Sequence, residues 1–203
     1  MRRHSEPCRL WKWYCCKQAV NTMVSEDNKL LQEIEHQAQA YWDFMTQRER
    51  EQYAWLAGII DGEGYIGIRY HGSSLRLELV IEMTSKEAID RIRAVTGYRG
   101  KILVRARSPK HKDMWRWEIV GQKVARVLRF CLPYLVVKRR QALCAIEFAD
   151  FQKFARSSRC RVGNIVGTLG AEPYAQLTRE RMNKMLNDMR SLNKLGRMEQ
   201  EVM

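Results

Sequence analysis

Apolar and polar positions repeat along the chain with two different periods, and the changes between them mark out its elements. From 25 to 47, apolar residues recur at intervals of three and four. Leu31, Ile34, Ala38, Tyr41, Trp42 and Met45 share one stripe behind Ser25, a residue able to cap, which predicts an amphipathic helix. The preceding segment, with Trp11, Trp13 and Tyr14, shows no clear period. A second helix is predicted from near Glu51 through Trp55 to about Gly62, where glycines end it.

The period then falls to two. Tyr65 to Tyr70 alternates, Gly72, Ser73 and Ser74 supply a turn, and Leu75, Leu77, Leu79, Ile81 and Met83 alternate with Arg76, Glu78, Val80 and Glu82. Helical spacing returns over 85–96, with Ile89, Ile92 and Val95 inward. A second alternating pair follows, Lys101 to Arg107 and Met114 to Val120, around a loop containing Pro109. Helices are predicted next through Val124, Val127, Leu128, Cys131 and Leu132 to Pro133, over about 138–154, and over about 178–193. The last is carried by Met182, Met185, Leu186, Met189 and Leu192, read as core positions. This order predicts an α+β domain whose two hairpins pair into a four-stranded antiparallel sheet, helices on its apolar face and water on the other. Residues 1–50 form a helical N-terminal extension in this reading, 51–154 the core domain, and 155–203 a C-terminal linker and helix.

Charge sharpens the picture. Of 203 residues 36 are basic and 23 acidic, a net charge of +13, and 45% are hydrophobic, so the chain can bury a core while facing a polyanion. Residues 99–161 alone hold 17 of the basic side chains and 4 of the acidic ones, an excess equal to that of the whole chain. A folded segment this basic points to nucleic acid. Residues 1–50 are nearly neutral, which favours packing on the core. On the wet strand face Arg69, Arg76, Glu78, Glu82, Arg105 and Arg107 are long enough to reach base edges and phosphates, as β-ribbon readers do in a major groove. No apolar run approaches the ~20 residues of a membrane helix, so a soluble, intracellular protein with no membrane partner is expected. Six cysteines are too sparse for a disulfide scaffold, and Cys131 and Cys144 fit buried thiols. His4, Cys8, Cys15 and Cys16 lack the spacing of a zinc knuckle.

Chemistry concentrates in the nine residues Leu56-Ala57-Gly58-Ile59-Ile60-Asp61-Gly62-Glu63-Gly64. Gly58 and Gly62 are four apart on one helix face, where a second helix can approach backbone to backbone. Two crossing copies would bring two Glu63 carboxylates together, the arrangement divalent ions need for phosphodiester hydrolysis. The competing reading is an ordinary helix closing on glycine, with Asp61 and Glu63 solvated.

The nine residues resemble the signature of the LAGLIDADG homing endonucleases. They match at Leu56, Ala57, Gly58, Ile60, Asp61 and Gly64, with Ile59, Gly62 and Glu63 replacing Leu, Ala and Asp. The resemblance extends over about residues 51–154 and implies an αββαββα core opened by the motif helix. It implies a site-specific double-strand DNA endonuclease using Mg²⁺ (or Mn²⁺), the metal bound by Glu63 and the Gly62 carbonyl. The stretch from Leu132 to Ala142 is similar to the region carrying the family's active-site lysine, which places Lys138 there; Lys138 also opens a helix in the most basic segment. Ser85 falls where an arrangement of this kind has a glutamine that holds solvent near the metal, and serine would need a water to do the same.

One motif makes half a site. The resemblance therefore implies a homodimer on a pseudo-palindromic duplex, cut across the minor groove with 3′ overhangs, with Leu56, Ala57, Gly58, Asp61 and Gly62 at the dimer interface. DNA contacts would come from the strand-face residues above with Arg116, Arg139 and Arg140 of the basic segment. An intron-encoded, mobile-element origin is implied. The rivals are an intron maturase that binds intron RNA, a DNA-binding regulator that does not cut, and a basic structural protein.

Overall fold

The computed structural model of the chain describes residues 27–72, 74–105, 113–161 and 172–201. The N-terminal aromatic segment, Ser25, the histidine and cysteines before residue 17, Arg107 and Pro109 lie outside the described residues, as does the side chain of Arg105.

Helix α1 (Asp27–Asp43) is followed by α2 (Gln47–Glu63), the strands β1 (Gly64–His71) and β2 (Ser74–Met83), and α3 (Lys86–Thr96). Next come β3 (Lys101–Arg105), β4 (Met114–Val120), α4 (Gln122–Cys131), a 3-10 turn (Leu132–Tyr134), α5 (Arg139–Arg161) and α6 (Glu172–Glu201). The αββαββα order predicted from periodicity is the order observed.

Helix α2 starts at Gln47, earlier than the apolar pattern indicates, because a capping box starts it. The Thr46 hydroxyl accepts from the Glu49 backbone N–H (3.3 Å), and the Glu49 carboxylate accepts from the Thr46 backbone N–H (2.9 Å). Its other end is abrupt. Gly64 begins β1 with its Cα against the preceding helical turn, where an added Cβ would sit 2.6 Å from the Ile60 carbonyl oxygen. The last glycine of the motif is therefore required by a close approach of backbone to backbone.

All strand pairs are antiparallel in the order β1-β2-β4-β3, so the two hairpins meet through β2 and β4. The register places Ile66, Ile68, Leu77, Leu79, Ile81, Trp117 and Ile119 on the dry face, all nearly inaccessible. Against it pack Leu56, Ala57 and Ile60 of α2, Ile89 and Ile92 of α3, Val124 and Leu128 of α4, and Phe148 of α5. Helix α1 joins this core through Ile34 and Ala38, each 2% exposed, in line with its near-neutral charge. Helix α6 contributes Met185, Leu186 and Met189, and Asn193 Nδ2 donates to the Ile66 carbonyl of edge strand β1 (3.1 Å). Cys131 is fully buried, and burial pushes the partly buried Cys144 thiol up to about 12. Both cysteines act as apolar filler. No helix among the described residues is long and apolar enough to cross a membrane.

Candidate active site and nucleic-acid face

The end of α2 is joined to the start of α5 by a reciprocal clasp. The Asp61 carboxylate accepts three consecutive backbone N–H groups: Val136 (2.8 Å), Val137 (3.3 Å) and Lys138 (2.8 Å). Val136 and Val137 lie in the turn that leads into α5, and Lys138 is the residue whose carbonyl accepts its first helical bond (2.9 Å from the Ala142 N–H), so the carboxylate sits at the positive end of the helix dipole. In return, Lys138 Nζ donates to the carbonyls of Ile60 (2.9 Å) and Asp61 (2.5 Å), at the negative end of α2. Each helix end thus satisfies the other. Lys138 is half-buried; burial lowers its pKa, opposed by the charges of Asp61 and Glu63.

Glu63 is exposed at the last position of α2, one residue before the sheet. It lines a depression of about 220 Å³ with Tyr65, Arg69, Val80, Glu82 and Arg116, all from the wet strand face. The lysine bonds leave the Gly62 carbonyl out: the oxygens Lys138 engages belong to Ile60 and Asp61. An exposed carboxylate at the carbonyl end of a helix, with Glu82 in the same depression, is a donor set suited to a hard divalent cation. It is a partial set. Among the described residues no three His, Cys, Asp or Glu converge on one point.

The wet face is built by period-two alternation. Its register places Tyr65, Gly67 and Arg69 beside Val80, Glu78 and Arg76, and Glu82, Arg116, Leu103, Glu118 and Lys101 further across. Arg105 lies on the same face by register. Several of the charges there are paired. Arg69 Nε lies 2.5 Å from Glu78, and Arg116 bridges Glu82 and Glu118 at 3.0 Å each. The Tyr65 hydroxyl, more than Glu78, holds the Arg69 guanidinium in its charged form, while burial raises the pKa of Glu78. The Tyr65 ring lies across Gly67, where an added Cβ would strike it, and Arg69 sits 5.0 Å from the ring centroid. Tyr65, Glu118 and Lys101 were not singled out from the sequence as face residues, although strand alternation alone puts them there.

Several predicted site residues are placed otherwise. Leu56 and Ala57 are 0% exposed and face the chain's own core, because the sheet lies on their side of α2. Gly58 and Gly62 lie on the opposite, exposed side, with nothing within 4 Å of an added Cβ. The Asp61 side chain turns into the clasp instead of toward a second helix. Arg139 bonds the Leu132 carbonyl (2.7 Å) and Glu35 of α1 (2.8 Å), because α1 crosses that end of α5; Arg140 is exposed. Ser85 is the N-cap of α3, accepting from the Ala88 N–H (3.2 Å), and does not line the depression that holds Glu63. Capping uses one lone pair and leaves its O–H able to donate.

No family model matches the chain, and no curated protein does. Among solved structures it is similar to the homing endonuclease I-CvuI in complex with its target, at 21% identity and a TM-score of 0.45 over 69% of this chain and 98% of that one. It is similar to the group I intron-encoded homing endonuclease I-CeuI complexed with DNA, at 15% identity and a TM-score of 0.42 over 80% and 83%. A third is the I-LtrWI LAGLIDADG homing endonuclease bound to target DNA, at 17% identity and a TM-score of 0.41 over 51% and 38%.

Proposed function

We propose that this chain is a site-specific DNA endonuclease of the LAGLIDADG homing type, which hydrolyses both strands of a duplex as a homodimer with a divalent metal ion. The observation that carries this reading is Glu63. It stands exposed at the end of the motif helix on the rim of the polar sheet face, with a lysine held over the same helix end.

The sheet face binds the duplex, its arginines and Lys101 meeting phosphates and guanine edges while Glu78, Glu82 and Glu118 accept from cytosine and adenine amines. The pairing of Arg69 with Glu78, and of Arg116 with Glu82 and Glu118, orders those side chains before DNA arrives, which lowers the entropy cost of docking. Glu63 and the Gly62 carbonyl would hold a magnesium or manganese ion. When bound, such an ion supplies an activated water and stabilises the charge on the leaving oxygen. Lys138 keeps a positive charge beside the scissile phosphate, and the clasp fixes its reach. Gly58 and Gly62 admit the second copy of α2, so that two half-sites face one duplex. Ser85 donates its O–H to solvent at the start of α3.

The test is cleavage selection from a randomised duplex library in Mg²⁺, repeated with Glu63→Gln. The variant should bind the selected duplex with unchanged affinity and leave it intact. Cutting by Glu63→Gln would remove this residue from its role, and a protein that selects a duplex without cutting it would be a regulator.

A further inference from the structure

A second concavity lies on the helical layer, away from the strand face. A groove of about 520 Å³ opens between α1, α4 and α5, lined by Gln37, Gln122, Arg126, Arg129, Phe130, Asp150 and Lys153. Helix α4 turns one stripe, Val124, Val127, Leu128 and Cys131, into the core and leaves Lys123, Arg126 and Arg129 on the other, with no acidic residue in its length. Lys153 of α5 closes the far side, so three cations and one carboxylate share the groove.

Two of those cations are held in place. The Asp150 carboxylate accepts from Arg129 at 2.6 Å, and the Tyr98 hydroxyl bonds Arg126 at 3.2 Å. Lys123 lies 5.5 Å over the Tyr98 ring and extends the basic edge outward. Gln122 Nε2 is spent on the Ala149 carbonyl (2.6 Å), which turns its amide as a fixed group on the wall. Phe130, its ring 4.9 Å from that of Tyr53, supplies a rigid aromatic side. Fixed guanidinium groups suit phosphate, an aromatic wall suits a base, and amides suit base edges.

We infer that this groove is a second nucleic-acid site, which seats one nucleotide of a single strand. Charge complementarity selects a polyanion, and shape selects an unpaired segment: the volume lies in the range of small-ligand pockets, whereas a duplex presents only its outer phosphates to a recess. The site is separate from the sheet and does not depend on cleavage.

The experiment is fluorescence anisotropy of the full chain with labelled U12 RNA, dT12 and a duplex selected as above, for the wild type and Arg126→Gln/Lys153→Gln. The double variant should lose at least about tenfold in affinity for the single strands. Its log-affinity against log-salt slope should fall by about 1.4, two contacts at ~0.7 each. Duplex binding should stay as in the wild type. Gln37→Ala, on α1 and outside the cation set, should weaken single-strand binding with no change in salt slope, and serves if the double variant fails to fold. Single-strand affinity unmoved by both variants would overturn the assignment. So would a parallel loss of duplex and single-strand binding, which would place both on the sheet, or variant-sensitive binding of heparin with none of either oligonucleotide.

Discussion

Asp61→Asn tests the clasp with almost no change of shape. The carboxylate accepts three backbone N–H groups from 136–138. An asparagine keeps one acceptor oxygen and turns an NH₂ toward donors that need an acceptor. Hydrogen bonds to a charged group contribute about 1.5–3 kcal/mol each where dry, but Val136 and Val137 are exposed and water can replace the carboxylate there. Helix N-caps lose about 0.5–2 kcal/mol on removal, and loss of charge at the helix dipole adds about 0.3–1. Asp61→Asn should therefore cost about 2 kcal/mol, a fall of about 4–8 °C in Tm for a domain of this size. The catalytic effect should be larger than the stability effect suggests. Lys138 is positioned by the bond from its own N–H to Asp61, so freeing the 136–138 turn displaces its ammonium, and a misplacement near 1 Å costs about 10²-fold. The assay is single-turnover cleavage of the selected duplex at saturating enzyme, beside urea unfolding and duplex binding. Expected are a lower unfolding midpoint, unchanged duplex affinity and a cleavage rate down about 10²-fold. A variant that loses stability yet cleaves at the wild-type rate would reduce Asp61 to a cap and refute the positioning argument.

Other outcomes follow from the same geometry. Because burial lowers the Lys138 pKa, the unfolded chain binds more protons between that lowered value and 10.5, so this group's contribution to stability rises with pH across the window. Cleavage that needs the ammonium should decline on an alkaline limb below pH 10.5, and Lys138→Arg should move the limb upward, since guanidinium stays charged; an unmoved limb belongs to another group. At Gly58 the chain has room for a side chain, so Gly58→Leu should keep the single chain folded, gain up to about 1 kcal/mol of helix stability, and give a monomer in analytical ultracentrifugation that cannot cut both strands. A stable, active dimer of Gly58→Leu would rule out the glycine face as its interface. Gly64→Ala, pressing a Cβ on the Ile60 backbone, should cost about 1–3 kcal/mol in urea unfolding, and an unchanged midpoint would show that the junction yields.

Periodicity in the sequence determined much of this protein. The change from a period of 3.6 to one of two located β1 and β2, and the same alternation divided the sheet into a dry face of Ile66, Leu79 and Trp117 and a wet one of Arg69, Glu78 and Arg116. The motif marked the helix end that carries Glu63. These features are local: a residue's face follows from its neighbours in sequence, and a small residue near a helix end identifies itself. The earlier start of α2 was equally local, since Thr46 and Glu49 have capping-box spacing.

Only the tertiary structure decided which charges are available and what Asp61 does. Asp61 meets Lys138 across 77 residues, and Arg139 meets Glu35 across 104. Pairings at such separations leave no periodic trace, because they depend on how helices are stacked and not on how each is written. For the same reason the chain alone could not say that the sheet lies on the Leu56 and Ala57 side of α2, leaving Gly58 and Gly62 outward. Nor could it show α1, α4 and α5 enclosing a basic groove. Each helix buries its own apolar stripe, and where the remaining polar stripes meet is settled by the packing of the others.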